Sequence, residues 1–232
     1  MSNRFFSPTV SESGSAVLEG GEAHHLIHVL RAKVGDEAEL FNGCGLVAQC
    51  RISTISKREI QFEILSAHQD IPPERIVTLV CAVPKGDRFD WLIEKATELG
   101  VSRFVPLVSE RSIVEPRETK LDKIRSAVIA ACKQSGRSYL MEIAPLTSWS
   151  EALKMSCSGE RRLIAHPAGK KSNLSDFSSV NQPVSVLIGP EGGFTEPEFQ
   201  TAIAAGIEPI QLGRQILRIE TAAIAVAAKL LL

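Results

Sequence analysis

The chain reads VSVLIGPEGGFTEPE at residues 184–198, and this stretch indicates the fold of the region around it. Its first five residues are almost all apolar without alternation, which is typical of a strand covered on both faces. The glycines and the proline that follow predict a tight turn, and Thr195 with Glu198 has the capping-box pattern that begins a helix. A buried strand, a turn and a capped helix form the repeating unit of a parallel α/β sheet.

The same alternation of strand and helix extends over most of the chain. Strands are predicted at 76–83, 101–108, 163–166 and 184–188, and helices at 88–99, 119–135 and 222–232. Gly100 and Gly136 follow two of these helices, and Gly206 should end the helix that Thr195 begins. A second capping box at residues 148–151 predicts another helix. The last helix is so rich in Ala and Leu that it must be buried nearly all round, in a core or a subunit interface.

The first 70 residues have a different pattern. Residues 46–55 and 59–65 alternate apolar and polar side chains, which predicts two strands, and Asn42-Gly43 is a turn signal. One short helix is predicted at 22–31. The paired prolines in Asp70-Ile71-Pro72-Pro73-Glu74 disfavour both helix and central strand. We therefore predict a small β-rich domain over residues 1–71 and an α/β domain over residues 74–232.

Composition limits the classes of function. The chain has 232 residues, a formal net charge of -1 and a pI near 6.5, so no overall basic field holds it on nucleic acid. Any RNA site must be local, and residues 76–140 are the electropositive part, with 11 Lys and Arg against 8 Asp and Glu. Neither a membrane-spanning run nor a signal peptide is recognisable. Five widely spaced cysteines without a C-x-x-C pair indicate a reducing compartment, so we expect a cytoplasmic protein.

The loop at residues 189–193 is the first candidate site. In an open α/β sheet, ligands bind outside the carboxyl ends of the strands, and glycine lets backbone N–H groups approach them closely. The glycine spacing is neither G-x-G-x-x-G nor a P-loop, which argues against dinucleotide and triphosphate binding. The alternative is a plain strand-to-helix turn without a ligand.

The stretch LGRQILRIETA at residues 212–222 is the second candidate. Arg218 and Glu220 lie beside the apolar last helix, where they form a buried ion pair, reactive groups, or both. Thr221 is a candidate cap for that helix. His166, before Pro167, is either a satisfied structural histidine or a pocket residue.

Two other residue types carry weaker signals. His24 and His28 lie four residues apart, a spacing that zinc sites use, but no third ligand accompanies them, so no metal is expected. Trp91 and Trp149 lie at apolar helical positions and are expected in the core.

The two candidate loops resemble those of the ribosomal small-subunit RNA uridine-N3 methyltransferases, a family within the SpoU-TrmD (SPOUT) class of trefoil-knot methyltransferases. The resemblance rests on G-P-E-G-G and L-G-x-x-I-L-R-x-E-T-A, and it extends through HLIHVLR at 25–31, EKATELGV at 94–101, ACKQSGR at 131–137 and His166-Pro167. The chain departs from the family pattern at His28, where many members carry arginine, and at Met141, where many carry proline.

The resemblance implies a PUA-like RNA-binding β-barrel, a trefoil-knotted α/β domain, and a homodimer whose active sites lie near the subunit interface. It implies S-adenosyl-L-methionine as cofactor and small-subunit ribosomal RNA as substrate, naked or in an assembled subunit. The matching cofactor-binding positions are His166, Ile188, Gly189, Pro190, Glu191, Gly192, Gly193, Leu212, Gly213, Ile216, Leu217 and Arg218. The candidate RNA contacts in the first domain are Arg4, His25 and Arg31, and a solvated surface of mixed charge is the alternative there.

Methylation of uridine N3 requires loss of its proton before or during attack on the methyl group. An arginine near the uracil carbonyls would stabilise the developing charge, and a carboxylate would orient that arginine or accept the proton. We expect Arg218 and Glu220 to take these catalytic roles. The alternatives are transfer to a ribose 2'-hydroxyl or another base atom, an RNA-binding ribosome-assembly factor without transfer, and a nucleotide-binding metabolic enzyme.

Overall fold

The structure is a computed structural model, and it describes residues 3–155, 159–170 and 182–232. The chain forms two compact units, Met1–Pro72 with Cys132–Leu140, and Pro73–Ala131 with Met141–Leu232. The main division falls between the paired prolines of the Asp70–Glu74 stretch. The predicted second domain, 74–232, included residues 132–140, and the structure groups these nine residues with the first unit instead.

The first unit is built on a curled five-stranded sheet. In spatial order its strands are β1 (Arg4–Phe6), β3 (Glu37–Phe41), β4 (Leu46–Ile55), β5 (Glu59–Gln69) and β2 (Ser15–Glu19). β1 and β3 are parallel, whereas the other neighbours are antiparallel. The alternation predicted at 46–55 and 59–65 is confirmed, and Ile52, Ile60 and Phe62 point into the core. Two register shifts between β4 and β5 bend the strands, as β-bulges do, and the sheet is a PUA-like half-barrel.

The short helix predicted in this unit is present, with an irregular second half. α1 (Gly20–His24) continues directly into a π-helical turn, His25–Val29. Arg31 follows with φ of 53°, and it is the one non-glycine residue with positive φ in the described part of the chain. Such a conformation is uncommon for a residue with a Cβ atom, so the backbone at Arg31 is locally strained.

Hydrogen bonds explain why Cys132–Leu140 belongs with the first unit. The Tyr139 hydroxyl donates to the Asp70 carbonyl at 2.9 Å and accepts from Gln69 Nε2 at 3.0 Å. The Leu140 N–H donates to the Gly43 carbonyl at 2.9 Å. A Cβ on Gly45 would lie 2.3 Å from the Tyr139 ring, so only glycine permits this approach.

The second unit is a parallel sheet with helices. Its strands are β6 (Val77–Ala82), β7 (Arg103–Val108), β8 (Glu142–Ile143), β9 (Thr147–Ser148), β10 (Arg161–Lys170), β11 (Val184–Ile188) and β12 (Glu208–Ile210). Their order is β12-β10-β11-β6-β7-β8, with β9 also on β7, and every recorded pairing is parallel. The fully buried pattern of β6 and β11 confirms that these strands are covered on both faces.

The helices of this unit confirm most of the sequence predictions. They are α2 (Asp87–Leu99), α3 (Glu118–Ser135), α4 (Trp149–Lys154), α5 (Glu196–Ala204) and α6 (Ile219–Leu231). Both predicted capping boxes are present, at Ser148 with Glu151 and at Thr195 with Glu198. α6 packs against α2 and β6, which buries most of its apolar surface within the chain itself.

One core prediction is wrong. The Trp91 side chain lies on the outer face of α2, where the residue is 46% exposed. Trp149 packs on Phe194, with ring centroids 4.9 Å apart. The trefoil knot stays a prediction, because strand order alone does not define how the chain threads. No helix in the described part of the chain is both long and apolar enough to cross a membrane.

Candidate functional site

A cavity of about 400 Å³ lies at the carboxyl ends of β11 and β12 and beside the second half of β10. Its volume is within the range of roughly 300–1,000 Å³ that small-molecule sites occupy. The position matches the rule that ligands of open α/β sheets bind outside the carboxyl ends of strands. Eleven of the twelve predicted cofactor-binding residues line it: His166, Ile188, Gly189, Pro190, Glu191, Gly192, Gly193, Leu212, Gly213, Ile216 and Leu217.

The three glycines of the loop after β11 serve its turn and the close packing around it. Gly193 has φ of 69°, and its N–H donates to the Pro190 carbonyl at 2.8 Å, which closes the turn. A Cβ on Gly189 would lie 3.1 Å from the Phe194 ring. A Cβ on Gly192 would lie 3.2 Å from Cδ of Arg111. The loop therefore presents backbone to the cavity on one side and packs tightly on the other.

Side chains from the loop after β7 hold this glycine loop in place. Arg111 Nη1 donates to the Gly192 carbonyl at 2.7 Å. The Glu198 carboxylate, 7% exposed, accepts from the backbone N–H of Glu110 and of Thr195, both at 2.8 Å. The Thr195 hydroxyl also donates to Glu110 Oε2 at 3.1 Å. A buried carboxylate with several donors is well satisfied, so the beginning of α5 is fixed against the loop after β7.

The opposite wall of the cavity is the loop at residues 211–217. The strand before this loop, β12, is in close backbone contact with β10, since a Cβ on Gly169 would lie 2.4 Å from the Ile210 carbonyl carbon. This contact fixes the point at which the loop begins. Within the loop, Leu217 is partly buried, whereas the Ile216 side chain is 92% exposed although it lines the cavity. An apolar side chain so exposed at a cavity mouth is available to contact a ligand.

His166 lies at the edge of the cavity as a partly buried residue. Its ring stacks on Phe199, with centroids 4.0 Å apart and an interplanar angle of 18°. Nδ1 accepts a hydrogen bond from the Ala168 N–H at 3.2 Å, which leaves the ring proton on Nε2. Burial lowers the pKa of His166, and the nearby Glu196 opposes this more weakly. The imidazole is therefore neutral at neutral pH.

The two predicted catalytic residues differ in their surroundings. Arg218 is the N-cap residue of α6 and is exposed; it does not line the cavity, but its neighbours Leu217 and Ile219 do. Glu220 is 7% exposed and also lies outside the cavity lining. Its Oε2 is buried without a hydrogen-bond partner among the described residues, and its Oε1 lies 3.6 Å from Nη1 of Arg88.

Two arginines near the cavity were not predicted from the sequence. Arg88, in the first turn of α2, lies between Glu220 and Glu191, with Nη2 3.7 Å from Glu191 Oε1. Arg111 lines the cavity directly. The signal for Arg111 was available, because it closely follows a strand whose carboxyl end lies at the same edge of the sheet. Nothing in the sequence around Arg88 distinguished it from an ordinary arginine at the beginning of a helix.

The predicted RNA contacts of the first unit lie in different settings. Arg4 is 7% exposed; its Nη1 lies 2.8 Å from Glu39 Oε1, and its guanidinium carbon lies 4.7 Å from the centre of the Phe41 ring. The Arg4 side chain is therefore paired inside the first unit, while its Nε and Nη2 have no hydrogen-bond partner among the described residues. His25 is exposed at the beginning of the π-helical turn, and Arg31 is exposed two residues after its end.

The other basic residues of the first unit do not form a purely basic surface. Lys57 and Arg58 share a shallow cavity with His24, Glu19 and Glu59. This arrangement agrees with the alternative of mixed surface charge. The rings of His24 and His28 lie 4.5 Å apart, and no group of three or more potential ligands is arranged for a metal within residues 3–155, 159–170 and 182–232.

Known families and structures match the chain along nearly its full length. A model described as an RNA methyltransferase domain matches residues 72–231, and one described as an RNA methyltransferase PUA domain matches residues 18–65. Ribosomal RNA small subunit methyltransferase E of Synechocystis sp. is 33% identical over 213 residues, which cover 90% of this chain and 70% of the relative.

Two solved structures are similar in both sequence and fold. A Legionella pneumophila protein in complex with bound cofactor SAM has a TM-score of 0.89 at 28% identity, covering 99% of this chain and 97% of that chain. Ribosomal RNA small subunit methyltransferase E from Neisseria gonorrhoeae, bound to S-adenosyl methionine, has a TM-score of 0.87 at 33% identity, covering 98% and 96%. The chain therefore belongs to the family of RNA methyltransferases that includes ribosomal RNA small subunit methyltransferase E.

Proposed function

We propose that the chain transfers a methyl group from S-adenosylmethionine to N3 of one uridine in the small-subunit (16S) ribosomal RNA. The observation that carries this proposal is the cavity at the carboxyl ends of β11 and β12, in a chain whose structural relatives were solved with that cofactor. The methyltransferase class rests on family membership, and the uridine N3 target rests on the sequence resemblance.

The residues of the cavity fit S-adenosylmethionine. Glycine backbone on one wall and the apolar side chains of Ile188 and Leu217 suit an adenine ring that is held by packing and main-chain hydrogen bonds. Glu191 offers a carboxylate acceptor for hydroxyl groups, and Arg111 offers donors for a carboxylate. A side chain at position 189 would press against the Phe194 ring and shift the cavity wall, so the wall depends on glycine there.

S-adenosylmethionine, when bound, supplies an electrophilic methyl group on a positively charged sulfur. The chain's own contribution is to bring the uracil to that group and to favour the loss of its N3 proton. Arg218 suits the second task because its guanidinium is exposed beside Leu217 and Ile219, which line the cavity. A guanidinium at that place would stabilise negative charge that develops on the uracil carbonyl oxygens.

Glu220 suits an orienting role better than that of proton acceptor. Its carboxylate is buried, lies outside the cavity lining and pairs with Arg88 rather than with a group that contacts substrate. It also lies in the first turn of α6, where the helix dipole stabilises its negative charge. We assign it to holding the beginning of α6, and hence Arg218, in register with the cavity.

The proposal includes a homodimer that acts on RNA in the cytoplasm. The dimer follows from the family resemblance, and two exposed apolar residues of the second unit, Trp91 and Leu232, would be available for an interface. The exposed His25 and Arg31 are the remaining candidates for RNA contact in the first unit. The four cysteines in the described residues, Cys44, Cys50, Cys81 and Cys132, are free thiols, consistent with a reducing compartment.

The test is transfer of labelled methyl from S-adenosylmethionine to isolated small subunits that lack their native modification, followed by nucleoside analysis of the digested RNA. Labelled 3-methyluridine is the expected product. Label on a ribose 2'-hydroxyl or another base would refute the N3 target while keeping the enzyme class. No label, in a protein that binds RNA but not the cofactor, would instead support an assembly factor.

A further inference from the structure

We propose that Arg88 is a positioning residue that links the loop after β11 to the beginning of α6 through an acidic residue on each. Its guanidinium lies between Glu191, which lines the cavity on the loop after β11, and Glu220, in the first turn of α6. Arg88 itself does not line the cavity. The inference rests on the proposed function, because it concerns how the same cofactor site is held in shape.

The distances around Arg88 indicate that it acts on the two carboxylates through its charge rather than through short hydrogen bonds. The two nitrogen–oxygen distances, 3.7 Å to Glu191 and 3.6 Å to Glu220, are longer than ordinary hydrogen bonds, so the contacts are ionic and adjustable. One arginine can serve both carboxylates because its nitrogens form a planar fork. The Arg88 side chain is 37% exposed, whereas that of Glu220 is 9% exposed, so a partly exposed cation faces a nearly buried anion.

The burial of Glu220 explains why a cation is needed at this place. An anion removed from water is costly unless it is paired, and Glu220 Oε2 has no hydrogen-bond partner in the part of the chain that the structure describes. The negative charge of Glu220 adds to burial in raising the pKa of the Cys81 thiol, on the neighbouring strand β6. Without Arg88, Glu191 and Glu220 would both lose the cation that faces them, and the link between the loop after β11 and the beginning of α6 would be lost.

A purely structural ion pair is the competing explanation, and Arg125 provides a matched control. Arg125, on α3, also bridges two carboxylates, with Nη1 2.9 Å from Glu118 and 2.7 Å from Asp122. Its side chain is 43% exposed, close to the value for Arg88, but none of these three residues lines the cavity. Both carboxylates around Arg125 are well exposed, so their loss of a partner should be inconsequential.

The experiment compares Arg88→Met, Arg88→Lys and Arg125→Met in the full-length protein. Calorimetry with S-adenosylmethionine gives Kd, methyl transfer to small subunits gives kcat and KM, and thermal unfolding gives Tm. For Arg88→Met we expect about a 10-fold weaker Kd and a fall of roughly 10- to 100-fold in kcat/KM, since small misplacements of site groups are costly. Arg88→Lys keeps the charge without the planar guanidinium, and it should recover part of the cofactor affinity and part of kcat/KM. Arg125→Met should match the wild type.

A double variant separates positioning from stability. Adding Glu220→Gln to Arg88→Met removes the unpaired buried charge, so Tm should recover towards the wild type while the cofactor Kd stays weak, because Glu191 remains without its partner. Recovery of both Tm and Kd would overturn the proposal, as would an Arg88→Met variant with unchanged Kd and kcat/KM. A wild-type protein that neither binds cofactor nor transfers methyl would instead refute the proposed function.

Discussion

Two nearly buried ion pairs, one in each unit, use the same residue types in opposite ways. In the first unit the arginine is buried: Arg4 lies 2.8 Å from Glu39 and over the Phe41 ring, while the Glu39 side chain is 26% exposed. In the second unit the carboxylate is buried: Glu220 lies 3.6 Å from Arg88, which is 37% exposed. The first pair is tight and lies within a sheet, whereas the second is loose and borders a cavity.

The difference separates a structural ion pair from one that prepares a site. A tight pair with an aromatic neighbour restricts its own side chains and offers little to a ligand. Both pairs leave buried polar atoms without a hydrogen-bond partner among the described residues, Nε and Nη2 of Arg4 and Oε2 of Glu220, so the difference lies in their setting. The Glu220 pair is loose and borders a cavity, which is where functional groups with such an electrostatic cost are commonly found. If this distinction is correct, substitutions around Arg4 change stability, and those around Glu220 change methyl transfer.

The largest expected effect is that of Arg218→Ala, two residues before Glu220 in the chain and next to the cavity-lining residue Leu217. Because the Arg218 side chain is exposed and has no partner among the described residues, its loss should leave Tm unchanged. We expect kcat for methyl transfer to fall by about 10²- to 10⁴-fold, as for loss of a group that stabilises charge in the transition state. Arg218→Lys should recover part of the rate, and a folded Arg218→Ala enzyme with wild-type kcat would exclude Arg218 from catalysis.

The second largest effect is expected for Arg4→Met, which tests the ion pair of the first unit. Glu39 would lose its cation but keep its hydrogen bond from Gln49 and some solvent, so we expect a loss of about 2 kcal/mol in unfolding free energy. Methyl transfer per folded molecule should be unchanged. Denaturant unfolding with the transfer assay checks both.

The double variant Arg4→Met with Glu39→Leu sharpens this test. Replacing both members of a buried pair by apolar residues is often neutral or stabilising, so stability should return. RNA affinity should remain that of the wild type throughout. If the double variant regains stability but binds RNA weakly, then Arg4 contacts RNA as the sequence predicted, and the structural role is incomplete.

The contrast also explains what the sequence could and could not predict. Strands β4, β6 and β11 and the capping boxes follow from local periodicity and chemistry, and so they were predicted close to their observed bounds. The glycine loop was predicted because its composition is unusual. The grouping of Cys132–Leu140 with the first unit depends on Tyr139 reaching Gln69 and Asp70, about 70 residues away in sequence, which no local pattern reveals.

The candidate site shows the same limit. Arg4 and Arg218 look alike in the sequence, because each is a single arginine beside apolar residues. Only the tertiary structure shows that one is buried against Glu39 and the other is exposed beside a cavity. Arg88 was missed for the same reason, since its importance derives from two carboxylates more than 100 positions further along the chain.

A smaller effect is expected at Arg31, the exposed arginine of the first unit, which has no partner among the described residues, in contrast to Arg4. Its φ of 53° is unfavourable for a side chain, so Arg31→Gly should raise stability by about 1 kcal/mol. If Arg31 contacts phosphate, RNA affinity should fall a few-fold, and the slope of log K against log salt should decrease by about 1. Filter binding across a salt series, beside Tm, measures both. Higher stability with unchanged salt dependence would remove Arg31 from the RNA surface.

The smallest expected effect is a pH dependence of stability, which comes from His166 at the edge of the cavity. Burial lowers the pKa of His166 below its ordinary value of 6.5, so the folded protein resists protonation there more than the unfolded chain does. The resulting stabilisation is fully present above pH 6.5 and is lost as the pH falls through the lowered pKa. His166→Asn removes the titration and, at every pH, the stacking on Phe199. We therefore expect the Tm of the wild type to fall more steeply than that of His166→Asn between pH 7.5 and 5. Parallel Tm curves would mean that the His166 imidazole is solvated in the folded protein, and that the cavity does not favour its neutral form over its charged form.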